Sequence, residues 1–266
     1  MLGKLMKHEF RAVGRIMLPL YGAWLVMSVL LGFTINLIEE QRIVGVIIAL
    51  IYAAVTIAVI VLSIILIIQR FYKNLLGSEG YLMFTLPVST AKHVWNKVIS
   101  AAVWIVAGIL MGIISVAVIM SCTGGIGTVK DAIGRVLHEI TSEIGAGNTT
   151  LVFIELVVIA LLIAGETALK IYASISAGHQ WSNHRVLGAI IAFLAFGIIE
   201  TILGNIIAVI GNSTDIMNRY YEATENMSPF AQGQLVLLLF TLLVAALTAV
   251  YYLVTYKLLQ KRLNLE

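Results

Sequence analysis

The chain of 266 residues is 60% hydrophobic and only 12% charged, with a formal net charge of +3. An ordinary soluble domain carries roughly 25% charged residues, so a water-soluble fold does not explain this composition. The basic residues lie at the ends of apolar runs rather than in one patch, which argues against nucleic-acid binding, and the single cysteine excludes an internal disulfide or a multi-cysteine metal site. These features indicate an integral membrane protein.

Six apolar runs are each long enough to cross a bilayer as a helix, at residues 16–37, 43–68, 98–121, 151–172, 186–210 and 235–256. A helix rises about 1.5 Å per residue and the hydrocarbon core is about 30 Å thick, so roughly 20 residues suffice. The runs lack the alternation that is typical of β-barrel strands. We therefore predict an all-α, polytopic protein with six transmembrane helices in a single membrane domain over residues 1–266.

Residues 1–15 place apolar side chains among Lys4, Lys7, Arg11 and Arg15, at a spacing that puts the apolar groups on one helical face. This predicts an N-terminal amphipathic helix in the headgroup plane. The alternative is a positively charged start to the first span. We expect a retained helix and not a signal peptide, because the apolar run is too long and no Ala-x-Ala-like cleavage site follows it.

The connection between the second and third runs, residues 69–97, is unusually punctuated. Gly77 and Gly80 permit sharp backbone changes, and Pro87 ends what precedes it. The apolar stretch Tyr81–Phe84 lies between these breaks, which predicts a short helix. An exposed apolar patch outside the membrane needs a partner to bury it. The alternative is that this stretch folds back onto the headgroups as an interfacial anchor.

Two further features follow this connection in the sequence. Gly108 and Gly112 in the third run form a Gly-x-x-x-Gly pattern that allows close helix approach. Residues 122–150 place apolar side chains at helical spacing opposite charged ones, which predicts an amphipathic surface helix between the third and fourth spans.

Four ionisable residues fall inside predicted spans: Glu155, Glu166 and Lys170 in the fourth, and Glu200 in the fifth. Charged groups at these depths are costly and usually functional. Glu166 precedes Lys170 by four residues, which predicts a structural ion pair, whereas Glu155 lies near the outer end and can be hydrated. Glu200 either lines a cavity or a dimer seam, or it forms a helix–helix hydrogen bond or is buried in its protonated form.

The loop between the fourth and fifth runs holds His179 and His184, which do not share a helical face, so we expect a solvated loop and no metal site. With six spans both termini share a side. On that side lie 13 of the 17 basic residues, which predicts that both termini are cytoplasmic and that the protein spans the cell membrane.

The sequence from Phe71 to Val88, FYKNLLGSEGYLMFTLPV, with Lys97 nearby, an amphipathic basic start and six spans, resembles the type-2 permeases of ATP-binding-cassette exporters. The resemblance implies that residues 77–87 form a coupling helix seated in a cleft of a separate cytoplasmic ATPase subunit. The coupling residues would be Gly77, Glu79, Gly80, Tyr81, Met83, Phe84 and Pro87. It also implies a second permease, either another copy of this chain or a paralogue.

No Gly-x-x-x-x-Gly-Lys-Ser/Thr phosphate loop occurs in the sequence. We therefore expect a transporter subunit that is not itself an enzyme, with no catalytic, metal or cofactor site and with ATP hydrolysis on a partner chain. The substrate is not indicated. The alternative is a secondary or proton-coupled transporter that uses Glu200, Glu155 and Glu166 as a relay, and a third possibility is a non-transporting scaffold or sensor subunit.

Overall fold

A computed structural model describes residues 2–35, 42–77, 89–181 and 183–261. It is 94% helical, and the described residues form no strand. The helices are α1 (Leu2–Ile35), α2 (Arg42–Phe71), α3 (Thr90–Met120), α4 (Ile126–Ile144), α5 (Ala146–Gly178), α6 (Arg185–Gly211), α7 (Thr214–Thr224) and α8 (Pro229–Lys261). A π-helical turn, Tyr72–Leu76, extends α2, and another, Ser121–Gly125, extends α3.

Six of the described helices, α1, α2, α3, α5, α6 and α8, are long and apolar enough to cross a membrane. In lipid every backbone N–H and C=O must be satisfied within the segment, and a helix does this for an apolar chain. Only 6% of the most apolar stretch of α6 is buried against the rest of the described chain, so its apolar surface faces outward, as expected of a membrane-spanning helix. The all-α prediction and the six predicted spans are confirmed, and the chain is a multi-pass membrane protein.

The N-terminal residues continue without a break into the first span, because α1 runs from Leu2 to Ile35 as one helix. Whether its first turns lie in the headgroup plane stays a prediction, as does the single membrane domain. The predicted coupling segment beyond Gly77, residues 78–87, lies outside the described residues.

The helices form two compact units. The first unit comprises Met1–Arg70 and Lys92–Ala164, and the second comprises Phe71–Ala91 and Gly165–Glu266. The described residues at the start of this segment, 71–77, therefore pack with the C-terminal helices, although most of α2 before them belongs to the first unit.

The core of the first unit is a row of side chains on one face of α1. Val13, Met17, Tyr21 and Trp24 recur at intervals of three and four residues and pack with Val59 of α2. This spacing brings them to one side of the helix, where they bury their apolar surface. The face of α1 that looks inward is therefore set by its own sequence.

Gly108 and Gly112 of α3 make room for two of these aromatic side chains. A Cβ at Gly108 would lie 3.1 Å from the Tyr21 hydroxyl oxygen, and one at Gly112 would lie 3.2 Å from the Trp24 ring. The Tyr21 hydroxyl also donates to the carbonyl oxygen of Trp104 at 3.1 Å. The Gly-x-x-x-Gly pattern thus allows close approach of α1 and α3 by admitting large rings.

A short chain of hydroxyl groups links three helices of the first unit. The Ser115 oxygen of α3 lies 2.6 Å from that of Ser28 on α1 and 2.7 Å from the Tyr52 hydroxyl on α2. Nearby, the Trp24 indole N–H donates to the Thr56 hydroxyl at 2.9 Å. These bonds satisfy polar groups that would otherwise be costly among apolar helices.

The predicted amphipathic surface helix corresponds to α4, which lies between two glycines with positive φ. Gly124 has φ 78° and Gly145 has φ 82°, a conformation that other residues rarely adopt, so the chain turns sharply at both ends of α4. The apolar side chains of this helix, such as Ile133 and Val136, are exposed.

In the second unit, α5 and α6 cross closely at their connection. A Cβ at Gly178, the last residue of α5, would lie only 2.2 Å from the backbone nitrogen of Ala189 in α6. A Cβ at Gly188 would lie 3.2 Å from the ring of Trp181, which packs over this crossing. Only a glycine at position 178 permits this approach.

Candidate functional site

The start of the predicted coupling segment is held firmly within the second unit. The Phe71 ring, which is fully buried, stacks on Tyr172 of α5 with ring centroids 4.1 Å apart and planes inclined by 8°. Leu75 is also fully buried, and the N–H of Gly77 donates to the Tyr72 carbonyl oxygen at 2.8 Å, which closes the π-helical turn. The residues that lead into position 77 are therefore packed against α5 through a buried aromatic pair.

Tyr72 makes the next contact of this segment, against His179 at the end of α5. The two ring centroids are 6.0 Å apart and the rings meet edge to face. Burial, aided by the nearby Arg185 guanidinium, lowers the pKa of His179 from its ordinary value. The expectation that His179 and His184 form no metal site stays a prediction. Among the described residues there is no group of three or more His, Cys, Asp or Glu side chains suited to a metal ion.

The segment that follows the link is anchored within the first unit by a buried ion pair. The Lys97 ammonium of α3 donates to Glu9 Oε2 of α1 at 2.7 Å, and the two side chains are only 2% and 9% exposed. His93, Val94 and Asn96 beside it are also buried. Sequence reasoning noted Lys97 but missed Glu9, because the partners are 88 positions apart and no local spacing joins them.

The intramembrane charges of the second unit converge on Glu200 of α6. The Lys170 ammonium of α5 donates to Glu200 Oε2, and the Tyr251 hydroxyl of α8 donates to Glu200 Oε1. Both oxygens of one carboxylate are thus used to join three helices. Sequence reasoning missed Tyr251, since an aromatic residue in an apolar run carries no signal of a polar partner.

The partner of Lys170 differs from the one that the sequence spacing predicts. Four residues separate Glu166 from Lys170, yet the ion pair of Lys170 in the structure is with Glu200 on the neighbouring helix. The Lys170 ammonium also lies 5.2 Å from the centre of the Phe193 ring, so α6 contributes both an anionic and an aromatic contact. The ion pair of Lys170 is therefore formed between two helices and not along one helix.

Glu166 lies near Glu200, and the two carboxylates interact electrostatically. The Oε1 atom of Glu166 is buried and has no hydrogen-bond partner among the described residues. Two carboxylates and one ammonium carry a net negative charge when all are ionised, which an apolar environment disfavours. A proton or a cationic group of a ligand would neutralise this cluster, which we call the Glu200 cluster (Glu166, Lys170, Glu200 and Tyr251).

Glu155, the fourth intramembrane residue predicted from sequence, lies in the first unit. Its Oε2 atom is buried without a hydrogen-bond partner in the described part of the chain. The contacts that define the Glu200 cluster do not include it.

Comparison with models of protein families, with curated proteins and with solved structures finds no match to this chain. The class of the protein is therefore defined by its fold and by the Glu200 cluster alone. This is a multi-pass helical membrane protein with a polar cluster of two carboxylates, an ammonium and a phenol within its apolar helices.

Proposed function

We propose that this chain is the membrane-spanning subunit of an exporter driven by a separate ATPase, which grips residues 77–87. The observation that carries the proposal is the composition of that segment: a short apolar stretch, Tyr81–Phe84, set between glycines and a proline in a connection between two spans. Such a patch requires a protein partner if it lies in water. The absence of a phosphate loop in the sequence means that the partner would supply the nucleotide site.

Residues 77–87 are suited to transmit a force from the ATPase, because the chain is packed against other helices both before and after them. Before the segment, Phe71 stacks on Tyr172 of α5. After it, Lys97 is paired with Glu9 of α1. A push on the segment would thus act on packed helices at both ends instead of being absorbed by a loose loop.

Within the second unit the push has a path to the Glu200 cluster. Tyr172 lies two residues after Lys170 on α5, and Lys170 is bonded to Glu200, which in turn is bonded to Tyr251. If α5 tilts, these bonds would pull α6 and α8 along with it. Closure of the ATPase would in this way change the spacing of the helices that surround the polar cluster and so alternate access to it.

The distribution of basic residues supports a cytoplasmic position for both termini and for residues 77–87, where an ATPase could reach them. The assembly would contain two ATPase subunits and a second permease, either another copy or a paralogue, in the cell membrane. The substrate would pass between the two membrane halves.

Co-purification from native membranes tests the proposal. The tagged full chain should retain an ATPase subunit whose hydrolysis is measurable in the purified complex. The double variant Tyr81→Asp with Phe84→Asp should lose that subunit, whereas the matched variant Tyr221→Asp with Met227→Asp, at exposed positions between α6 and α8, should keep it. Full retention of the ATPase by the Tyr81 and Phe84 variant would contradict the docking role.

A liposome measurement separates this proposal from proton-coupled transport. The purified chain alone, reconstituted with a pH-sensitive dye inside the vesicles, should show no proton uptake under an imposed gradient. Proton uptake that is lost in Glu200→Gln would overturn ATP-driven export in favour of a carrier.

A further inference from the structure

An open groove of about 630 Å³ lies at the start of α6 in the second unit. Volumes between about 300 and 1,000 Å³ are typical of small-molecule sites. One end of the groove is polar and is lined by Asn183, His184 and Arg185. The other end is lined by aliphatic side chains of α6.

The polar end is suited to an anion. Arg185 is exposed and forms no ion pair with any described residue, and none of the residues that line the groove is acidic. A guanidinium offers a planar set of donors that matches a phosphate group in geometry and charge. His184 and Asn183 add further donors at the same end.

The apolar end is suited to acyl chains. Val186, Leu187 and Ile190 line it, and all three are more than half exposed, with Val186 at 75%. They begin the apolar run of α6, so the polar and apolar ends of the groove follow the direction from membrane surface to hydrocarbon. A water-soluble phosphate would leave this aliphatic surface uncovered.

The position of the groove at the membrane surface rests on its neighbours. Trp181, which is half exposed, packs over the crossing of α5 and α6, and tryptophan is enriched at the level of the lipid headgroups. Arg185 is the first residue of a helix that is otherwise apolar up to Glu200. The guanidinium therefore lies where a headgroup phosphate would be.

We propose that this groove binds an anionic phospholipid, with its phosphate on Arg185 and its acyl chains along Val186, Leu187 and Ile190. Basic pockets between membrane helices bind such headgroups by the same combination of charge and apolar contact. Tyr72, the first residue of the π-helical turn, also lines the groove. A bound lipid would therefore touch the turn that leads into residues 77–87.

Native mass spectrometry of the detergent-solubilised full chain, titrated with phosphatidylglycerol, tests the proposal. We expect Arg185→Gln to weaken binding of phosphatidylglycerol about tenfold, through loss of the charge-assisted bonds. Arg219→Gln, which removes an exposed arginine from α7, should leave binding unchanged. Because Arg185 is exposed, its replacement should preserve the fold, and equal unfolding temperatures of the two variants would verify this.

A second variant and a soluble competitor complete the test. Leu187→Asp should weaken lipid binding while Arg185 is intact, because it places a charge against the acyl chains. Glycerol 3-phosphate in large excess should fail to displace the lipid. The proposal is overturned if Arg185→Gln binds as tightly as Arg219→Gln, or if glycerol 3-phosphate displaces the lipid, since the groove would then be a site for a free phosphate.

Discussion

Replacement of Glu9 by Gln removes the anionic partner of a buried lysine without changing the shape of the side chain. The Lys97 ammonium lies 2.7 Å from Glu9 Oε2 and its side chain is 2% exposed, so water cannot replace the lost charge. Breaking a buried ion pair by neutralising one member costs about 3 to 5 kcal/mol, because the other charge stays desolvated. We therefore expect the free energy of unfolding to fall by about 3 kcal/mol or more.

The assay is unfolding of the purified chain in mixed micelles with increasing SDS, followed by the fluorescence of its four tryptophans. Glu143→Gln, at an exposed position of α4, is the matched control and should change stability by no more than about 0.5 kcal/mol. The double variant Glu9→Gln with Lys97→Met should recover most of the loss, because no charge then remains buried. The reasoning is refuted if Glu9→Gln behaves like Glu143→Gln, or if the double variant is no more stable than Glu9→Gln alone.

Three further substitutions test other contacts by the same unfolding assay. Gly178→Ala should lower the free energy of unfolding by at least about 1 to 3 kcal/mol, because its Cβ would lie 2.2 Å from a backbone nitrogen. Gly204→Ala is the control and should be neutral, because a Cβ there meets nothing within 4 Å. Equal stability of the two variants would contradict the close crossing of α5 and α6. Ser115→Ala should cost about 1 to 3 kcal/mol through loss of two hydroxyl contacts, and a neutral result would show that they contribute nothing. Stability should fall as pH drops below about 6.5, because burial and the nearby Arg185 lower the pKa of His179 so that the unfolded chain takes the proton first. His179→Gln should flatten this slope, and an unchanged slope would assign it to other groups.

The six spans could be predicted from sequence because apolar runs of more than 20 residues have one solution in lipid, a helix. Each predicted run is shorter than the helix found at its position. The fourth run, residues 151–172, lies within a helix that extends from Ala146 to Gly178. Hydropathy reports the part of a helix that lipid covers, and the polar turns at its ends stay helical without contributing to that signal.

The contacts between helices could not be predicted in the same way. The spacing of four residues indicated an ion pair between Glu166 and Lys170. In the structure Lys170 instead forms its ion pair with Glu200, 30 positions away. Glu9 and Tyr251 were missed for the same reason, since their partners are distant in sequence. Local patterns state which groups are costly to bury, whereas only the packing of helices decides which group neutralises them.

The glycines illustrate both sides of this limit. The Gly-x-x-x-Gly spacing of Gly108 and Gly112 indicated close packing, which the structure has. It did not indicate that the approaching groups are the rings of Tyr21 and Trp24, because the pattern specifies free space and not what fills it.

The central claim, that an ATPase grips residues 77–87 from the cytoplasm, is tested most directly by labelling one cysteine in that segment. The chain has a single cysteine, Cys122, so Cys122→Ser with Ser78→Cys gives a unique thiol in the segment. We expect a membrane-impermeant maleimide to label it in inverted membrane vesicles but not in intact cells, and the co-purified ATPase to protect it. Labelling from the outside of intact cells, or equal labelling with and without the ATPase, would contradict the claim.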